Sequence, residues 1–172
     1  LFTGIVSAAV AWRFGFSIEM LAALALTWAL IAMSAIDIDH QILPDSITLP
    51  FLWLGLLHSL GSVFVPPAEA IIGAAAGSLS LWLVYHLFRL LTGKEGMGYG
   101  DFKLLALLGA WLGWQALPVV ILLSSLVGAA IGITLIVSLG RDRNLPIPFG
   151  PYLAAAGWLA LMWQDEIVAF YM

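Results

Sequence analysis

The chain contains no cysteine. Disulfides, thiolate-bound zinc, iron–sulfur clusters and a thiol nucleophile are excluded with it. Charge is the second shortage: 9% of the 172 residues are charged, with 6 Lys+Arg against 10 Asp+Glu. An average soluble domain carries about 25% charged residues, so a surface facing water on all sides cannot be assembled here. The same balance excludes a disordered chain, a coiled coil and a nucleic-acid-binding surface. No internal repeat or low-complexity linker is visible, and without a basic n-region or cleavage site the opening residues are not expected to be a signal peptide. What is abundant is apolar: 63% of the residues are hydrophobic and the mean hydropathy is +1.07. The composition is that of an integral membrane protein, and the length predicts one domain over residues 1–172.

A spanning helix needs roughly 20 apolar residues to cross a hydrocarbon core of about 30 Å. On that measure the sequence predicts an all-α, polytopic helix bundle of about seven spans: 1–16, 18–36, 47–64, 68–91, 102–116, 117–139 and 149–163. The first is short and opens inside an apolar run at Leu1 rather than at a methionine, so it is expected to be the truncated edge of a longer protein. Small residues crowd several spans, among them Gly73 to Gly77, Gly128 to Gly132 and Ala154 to Gly157. Such residues let helix backbones approach closely in lipid.

If spans alternate sides, the connections form two unlike sets. One receives 37–46, 92–101 and 140–148 and carries Arg89, Lys94, Lys103, Arg141 and Arg143. The other holds only Arg13, beside Glu19, Glu69, Asp165 and Glu166. This positive-inside asymmetry places the first set in the cytoplasm, provided that 102–116 crosses rather than re-enters.

The unusual chemistry lies on that first side. Asp37 falls in the last turn of a span, where the helix dipole disfavours a carboxylate by about 0.3–1 kcal/mol, and it gains nothing there as a cap. Asp39 and His40 follow and are expected to reach solvent; with Asp37 they lack the ligand spacing of a dedicated metal site, and no metal is expected. Pro44 stops the helix, and Asp45 or Ser46 is expected to cap the next one. Downstream, Gly96-Met97-Gly98-Tyr99-Gly100-Asp101-Phe102-Lys103 is a backbone able to bend tightly, and Asp101 opens an apolar helix. Without a GK[ST] context or a preceding strand this is not a P-loop. Taken alone, Asp101 reads equally as an ordinary N-cap. His58 and His86, inside apolar spans, are each expected to make a helix–helix hydrogen bond.

The span count puts Asp37 at the end of one helix and Asp101 at the start of another on the same membrane face. Two carboxyls brought together can hold a water between them. The ionised one removes its proton, while the protonated one donates to a carbonyl oxygen and a leaving amine. The alternative is a proton-coupled transporter with buried carboxylates as relays, which needs acids along a path through the bilayer. A purely structural membrane subunit would leave the paired aspartates unexplained.

Gly98-Tyr99-Gly100-Asp101 resembles the GxGD signature of intramembrane aspartyl proteases. Joined to Asp37-Ile38-Asp39-His40-Gln41-Ile42-Leu43-Pro44-Asp45 upstream and Ile147-Pro148-Phe149-Gly150-Pro151-Tyr152 downstream, it resembles the bacterial prepilin peptidases (type IV leader peptidases) over the whole chain. The resemblance implies an aspartic endopeptidase of the bacterial inner membrane. Such an enzyme removes the basic leader from type IV prepilins and type II secretion pseudopilins after a glycine, at the cytoplasmic face. The family's catalytic pair falls on Asp37 and Asp101; Gly98, Gly100, Asp39 and Asp45 would support the site or bind substrate. Many members also methylate the new N-terminus with S-adenosylmethionine, and carry zinc on paired CxxC motifs in an N-terminal region that these residues lack. On the same resemblance, Asp39, Asp45 and Asp142 would attract a basic leader. A pilin's apolar helix would dock among the spans, the glycines beside Asp101 would give the peptide room, and Pro146 and Pro148 would shape a helix entrance.

Overall fold

The protein is described by a computed structural model over residues 1–93, 98–139 and 148–171. Among these residues eight α-helices follow in order: α1 (Phe2–Phe14), α2 (Ile18–His40), α3 (Asp45–Ser59), α4 (Pro67–Thr92), α5 (Tyr99–Leu112), α6 (Leu117–Leu139), α7 (Gly150–Met162) and α8 (Gln164–Tyr171). A 3-10 turn at Trp114–Ala116 joins α5 to α6. The first seven correspond to the seven expected spans. The eighth lies beyond them, where Gln164-Asp165-Glu166 interrupts the apolar pattern that marks the others.

Three stretches, Ile18–His40, Pro67–Thr92 and Trp114–Leu135, are long and apolar enough to cross a bilayer. The remaining four of the seven are only 13 to 15 residues long, or about 20–22 Å at 1.5 Å per residue. Large apolar side chains nevertheless face outward around the girth, with Leu83 and Leu122 each 63% exposed. An apolar perimeter of this kind marks a surface that meets lipid.

Helix α5 is the axis of the bundle. Every residue from Asp101 to Leu112 except Lys103 is buried, so α5 is apolar all round as a central helix must be. Its closest neighbour is α4, and glycine is the reason. A Cβ on Gly73 would strike the carbonyl oxygen of Gly109, a Cβ on Gly109 would strike that of Gly73, and a Cβ on Gly77 would lie 2.5 Å from the Leu105 oxygen. The expected close approach therefore occurs, with Gly73 and Gly77 of α4 set against α5. On the other flanks Leu108 packs over Gly157 of α7, and Trp111 lies over Gly55 of α3 and donates its indole N–H to the Phe51 carbonyl at 2.7 Å.

Polar contacts define the two ends of the bundle. At one, Arg13 donates to the Met162 carbonyl at 2.9 Å and pairs with Asp165 at 2.8 Å. Gln164 donates to the carbonyls of Phe64 and Leu112, each at 3.4 Å. The C-terminal ends of α1, α5 and α7 and the α3–α4 connection thus meet there. The N-terminal ends of α3, α5 and α7 meet the C-terminal end of α2 at the other. Helix α5 therefore runs through the bundle from end to end and does not double back.

Candidate active site

Asp37 lies in the last turn of α2, which closes at Gln41 in a left-handed conformation (φ 54°, ψ 38°) whose N–H bonds back to the Asp37 carbonyl at 2.9 Å. Its side chain is 5% exposed and accepts the Gly150 N–H at 3.0 Å. Gly150 is the first residue of α7, so its N–H is one of those a helix leaves without an internal partner. The unfavourable end of α2 is thereby offset by the favourable start of α7. Glycine is required at 150, where a Cβ would come 2.7 Å from Asp37 Oδ2.

Asp101 is the third residue of α5 and also 5% exposed. Its Oδ2 accepts the Gly98 N–H at 3.3 Å, and its own N–H donates to the Gly98 carbonyl at 3.2 Å. The alternative reading of Asp101 as the N-cap is thus corrected: Gly98 holds that position, and Asp101, two residues inside the helix, reaches back to its N–H while remaining a buried acid. Both carboxyls lie at the same end of the bundle, where one residue, Leu43, packs against Gly100 beside Asp101 and against Gly150, the residue bound to Asp37. Two buried acids at one end of a membrane bundle, each holding a single backbone N–H, have the donor and acceptor capacity left over to bind a water and exchange a proton.

Leu43 joins the two halves of the site. It sits in the short non-helical stretch between α2 and α3 and is 7% exposed. Its Cβ would be 2.7 Å from a Cβ on Gly100, and its Cδ2 would be 3.2 Å from one on Gly150. One leucine is thus wedged against the residue preceding Asp101 and the residue whose N–H binds Asp37. Sequence reasoning passed over Leu43, since a leucine in a leucine-rich chain carries no signal. Gly150 lay inside a quoted motif but had been given no role.

The accompanying residues divide. Gly98 is exposed and open: a Cβ there would meet nothing nearer than 3.9 Å. Asp39 and His40 are exposed, as expected. Asp45 does not cap α3, whose N-cap is Pro44. Instead both of its carboxylate oxygens accept from Lys103 Nζ, at 2.6 and 2.8 Å, tying α3 to α5 beside Asp101. Behind the Gly98–Asp101 turn, buried Tyr85 of α4 packs on Tyr99 and Phe102 with ring centroids 5.4 and 5.6 Å away. His58 and His86 differ from expectation. Each bonds a carbonyl of its own helix, Leu54 at 2.8 Å and Trp82 at 2.9 Å, because an i−4 oxygen lies closer than any partner across the interface. Among the described residues no three His, Asp or Glu side chains gather to hold a metal ion. Lys94, Glu95, Gly96, Met97, Arg141, Asp142, Arg143, Pro146 and Ile147 lie outside the described residues.

The pattern that defines the type IV leader peptidase family matches residues 24–133, a stretch that includes both aspartates. The chain belongs to that family. It is 59% identical over 169 residues to a prepilin leader peptidase/N-methyltransferase of Stutzerimonas stutzeri, covering 98% of this chain and 58% of the relative. It is 57% identical over 172 residues to the protein of that name in Pseudomonas aeruginosa, covering 100% and 59%. A more distant one in Legionella pneumophila is 46% identical over 170 residues, covering 99% and 59%. The chain thus spans somewhat under two thirds of the length of the curated relatives it matches. No solved structure matches it.

Proposed function

We propose that the protein is a membrane aspartyl endopeptidase that cuts the leader from type IV prepilins and type II secretion pseudopilins, using one water held between Asp37 and Asp101. The observation that carries this reading is the convergence of two buried carboxyls, each anchored by one backbone N–H, at one end of the bundle. With one acid ionised and the other protonated, the ionised acid takes a proton from the water as its oxygen attacks the peptide carbonyl carbon. The protonated acid donates to the carbonyl oxygen. Collapse of the tetrahedral diol breaks the C–N bond. The acid that took the water's proton passes it to the leaving nitrogen, the other takes the diol's hydroxyl proton as the carbonyl re-forms, and the pair returns to its shared-proton state. Close carboxylates resist double ionisation, which keeps that state populated.

In this reading the aspartate end faces the cytoplasm, which the distribution of basic residues supports. Among the described residues Lys103 and Arg89 lie toward that end and Arg13 toward the other. A basic leader arriving there would meet Asp39; Asp45 is engaged by Lys103, so its attraction is largely spent.

The relatives' names include N-methyltransferase. Zinc on paired CxxC motifs does not fit this chain, which has no cysteine. The polar cavity lined by Arg13, Glu69 and Gln164 lies at the far end of α5 from the aspartates, about 20 Å away at helical rise. A methyl donor bound there would be out of reach of an amine released between the acids, so no methyl-transfer step is assigned to these residues.

Incubation of the protein in detergent micelles with a pilin precursor is the test. A product shortened at the leader, with its new N-terminus established by sequencing, is expected. Proton-gradient-driven uptake into vesicles without any shortened product would favour the transporter and overturn the reading.

A further inference from the structure

Only Gln41, Ile42, Leu43 and Pro44 separate α2 from α3, and this short connection is held at both ends. Gln41 closes α2 in its left-handed conformation and bonds back to the Asp37 carbonyl. Pro44 fixes its own φ at −71°, and its carbonyl accepts the Ile47 and Thr48 N–H groups and the Thr48 hydroxyl, each at 3.0 Å. The pair between Asp45 and Lys103 then pins the start of α3 to α5. Leu43 therefore projects from a backbone with little freedom, and its side chain is buried. On both sides it meets glycine. A Cβ on Gly100 would lie 2.7 Å from Leu43 Cβ and 3.3 Å from its Cδ1, and one on Gly150 would lie 3.2 Å from its Cδ2. Neither Gly100 nor Gly150 has a positive φ, so what glycine supplies at these two positions is room. The starts of α5 and α7 are closed onto one side chain, and each start holds one acid: Asp101 follows Gly100, and Asp37 hangs on the Gly150 N–H.

We infer that Leu43 is a positioning residue of the peptidase, a spacer that fixes how far apart the Asp37 and Asp101 carboxyls stand; this rests on the proteolytic reading above. A water shared by two acids needs both at one separation, and so does a proton shared between them, because the coupling of two carboxyls depends on their distance. Neither acid can set that distance alone, since they sit on different helices and are anchored to different backbone N–H groups. Leu43 touches both anchoring elements from a third, the α2–α3 connection. Its role is one of shape: it offers no proton and no hydrogen bond, and acts only through where α5 and α7 begin.

Leu43→Val tests this, because it keeps the Cβ beside Gly100 and removes the reach to Gly150. Leu26→Val takes the same methylene from a fully buried leucine of α2, about 16 Å along the helix from Asp37, and controls for lost packing. The full-length protein in detergent is assayed on a pilin precursor across a range of pH, with thermal unfolding of each variant. In Leu43→Val kcat should fall about tenfold or more with KM little changed. The two limbs of its kcat/KM profile should also draw together, because carboxyls no longer held at one separation couple less. The substitution leaves Asp39, His40 and the Asp45–Lys103 pair as they were, so a change in the limbs reports the buried acids. Leu26→Val should lower the unfolding midpoint comparably while keeping the parental kcat and limbs. Leu43→Met, which regains the reach, should return most of the rate. Should Leu43→Val not be recovered folded, Leu43→Ile, which loses no carbon but moves the branch next to the backbone, serves the same comparison. Parental kcat, unmoved limbs, an equal loss in Leu26→Val, or no recovery in Leu43→Met would each overturn the spacer and leave the peptidase reading intact. Failure of the unsubstituted protein to cut the precursor would remove the peptidase reading and the spacer with it.

Discussion

Gly150→Ala is the most informative small perturbation, because it adds one methyl group at a position whose surroundings are tightly defined. The new Cβ would fall 2.7 Å from Asp37 Oδ2, 3.1 Å from its Cγ and 3.2 Å from Leu43 Cδ2. An ordinary van der Waals contact begins near 3.4 Å, so the carboxyl must retreat by about 0.7 Å or α7 must slide away from it. Either movement stretches the 3.0 Å bond from the Gly150 N–H to Asp37. A hydrogen bond to a charged group contributes about 1.5–3 kcal/mol, and a misplacement of about 1 Å at a reacting group can cost about 100-fold in rate. Gly150→Ala should therefore lower kcat for precursor cleavage by about 10- to 100-fold with little change in KM. Gly98→Ala is the contrast: its φ is −81° and its nearest neighbours are 3.9 Å from the added methyl, so its thermal midpoint should match that of the parent. Initial rates over a range of precursor concentrations, with thermal unfolding of each variant in the same detergent, provide the comparison. Parental kcat in Gly150→Ala would refute the claim that the start of α7 positions Asp37.

Gly109→Ala drives a methyl group into the Gly73 carbonyl; overpacking of this kind costs about 1–3 kcal/mol, so a lowered unfolding midpoint is expected, and an unchanged one would contradict the α4–α5 packing. Breaking the partly exposed Asp45–Lys103 pair by Lys103→Ala should cost no more than about 1 kcal/mol of stability, yet cleavage should fall, and the double exchange Asp45→Lys with Lys103→Asp should recover part of it; equal rates in the parent and both variants would deny the pair a positioning role. The pH profile of kcat/KM should be bell-shaped, since activity needs one acid ionised and the other protonated: at low pH both hold protons and the base is lost, and at high pH both are ionised and the acid is lost. A sigmoidal profile would mean that only one of the two titrates in catalysis.

The helices were legible because apolar length is a coarse signal that does not depend on partners. The end-to-end path of α5 was less so. Its 14 residues fall short of a full span, and only the meeting of Leu112 with Gln164 at one end and of Gly100 with Leu43 at the other fixes its course. Asp37 and Asp101 stood out because each is an acid that its own helix does not explain fully. What the sequence could not reveal is how they are held. The Gly150 N–H reaches Asp37 from more than a hundred positions away, and Leu43 acts by shape alone. The assignment of Asp45 as a cap failed for a related reason: a local rule lost to a lysine brought near by α5. The same holds for His58 and His86, where the nearest acceptor was on their own helix.

The central claim is that Asp37 and Asp101 act as one unit on one water. Asp37→Asn, Asp101→Asn and the double variant, each verified as folded and inserted and then assayed for precursor cleavage, test it most directly. Each single substitution should lower the rate by about 10³-fold or more, and the double variant should be no worse than either, because groups that act as a unit are not additive. Substantial cleavage by either single variant, or losses that multiply in the double, would contradict the shared-water account.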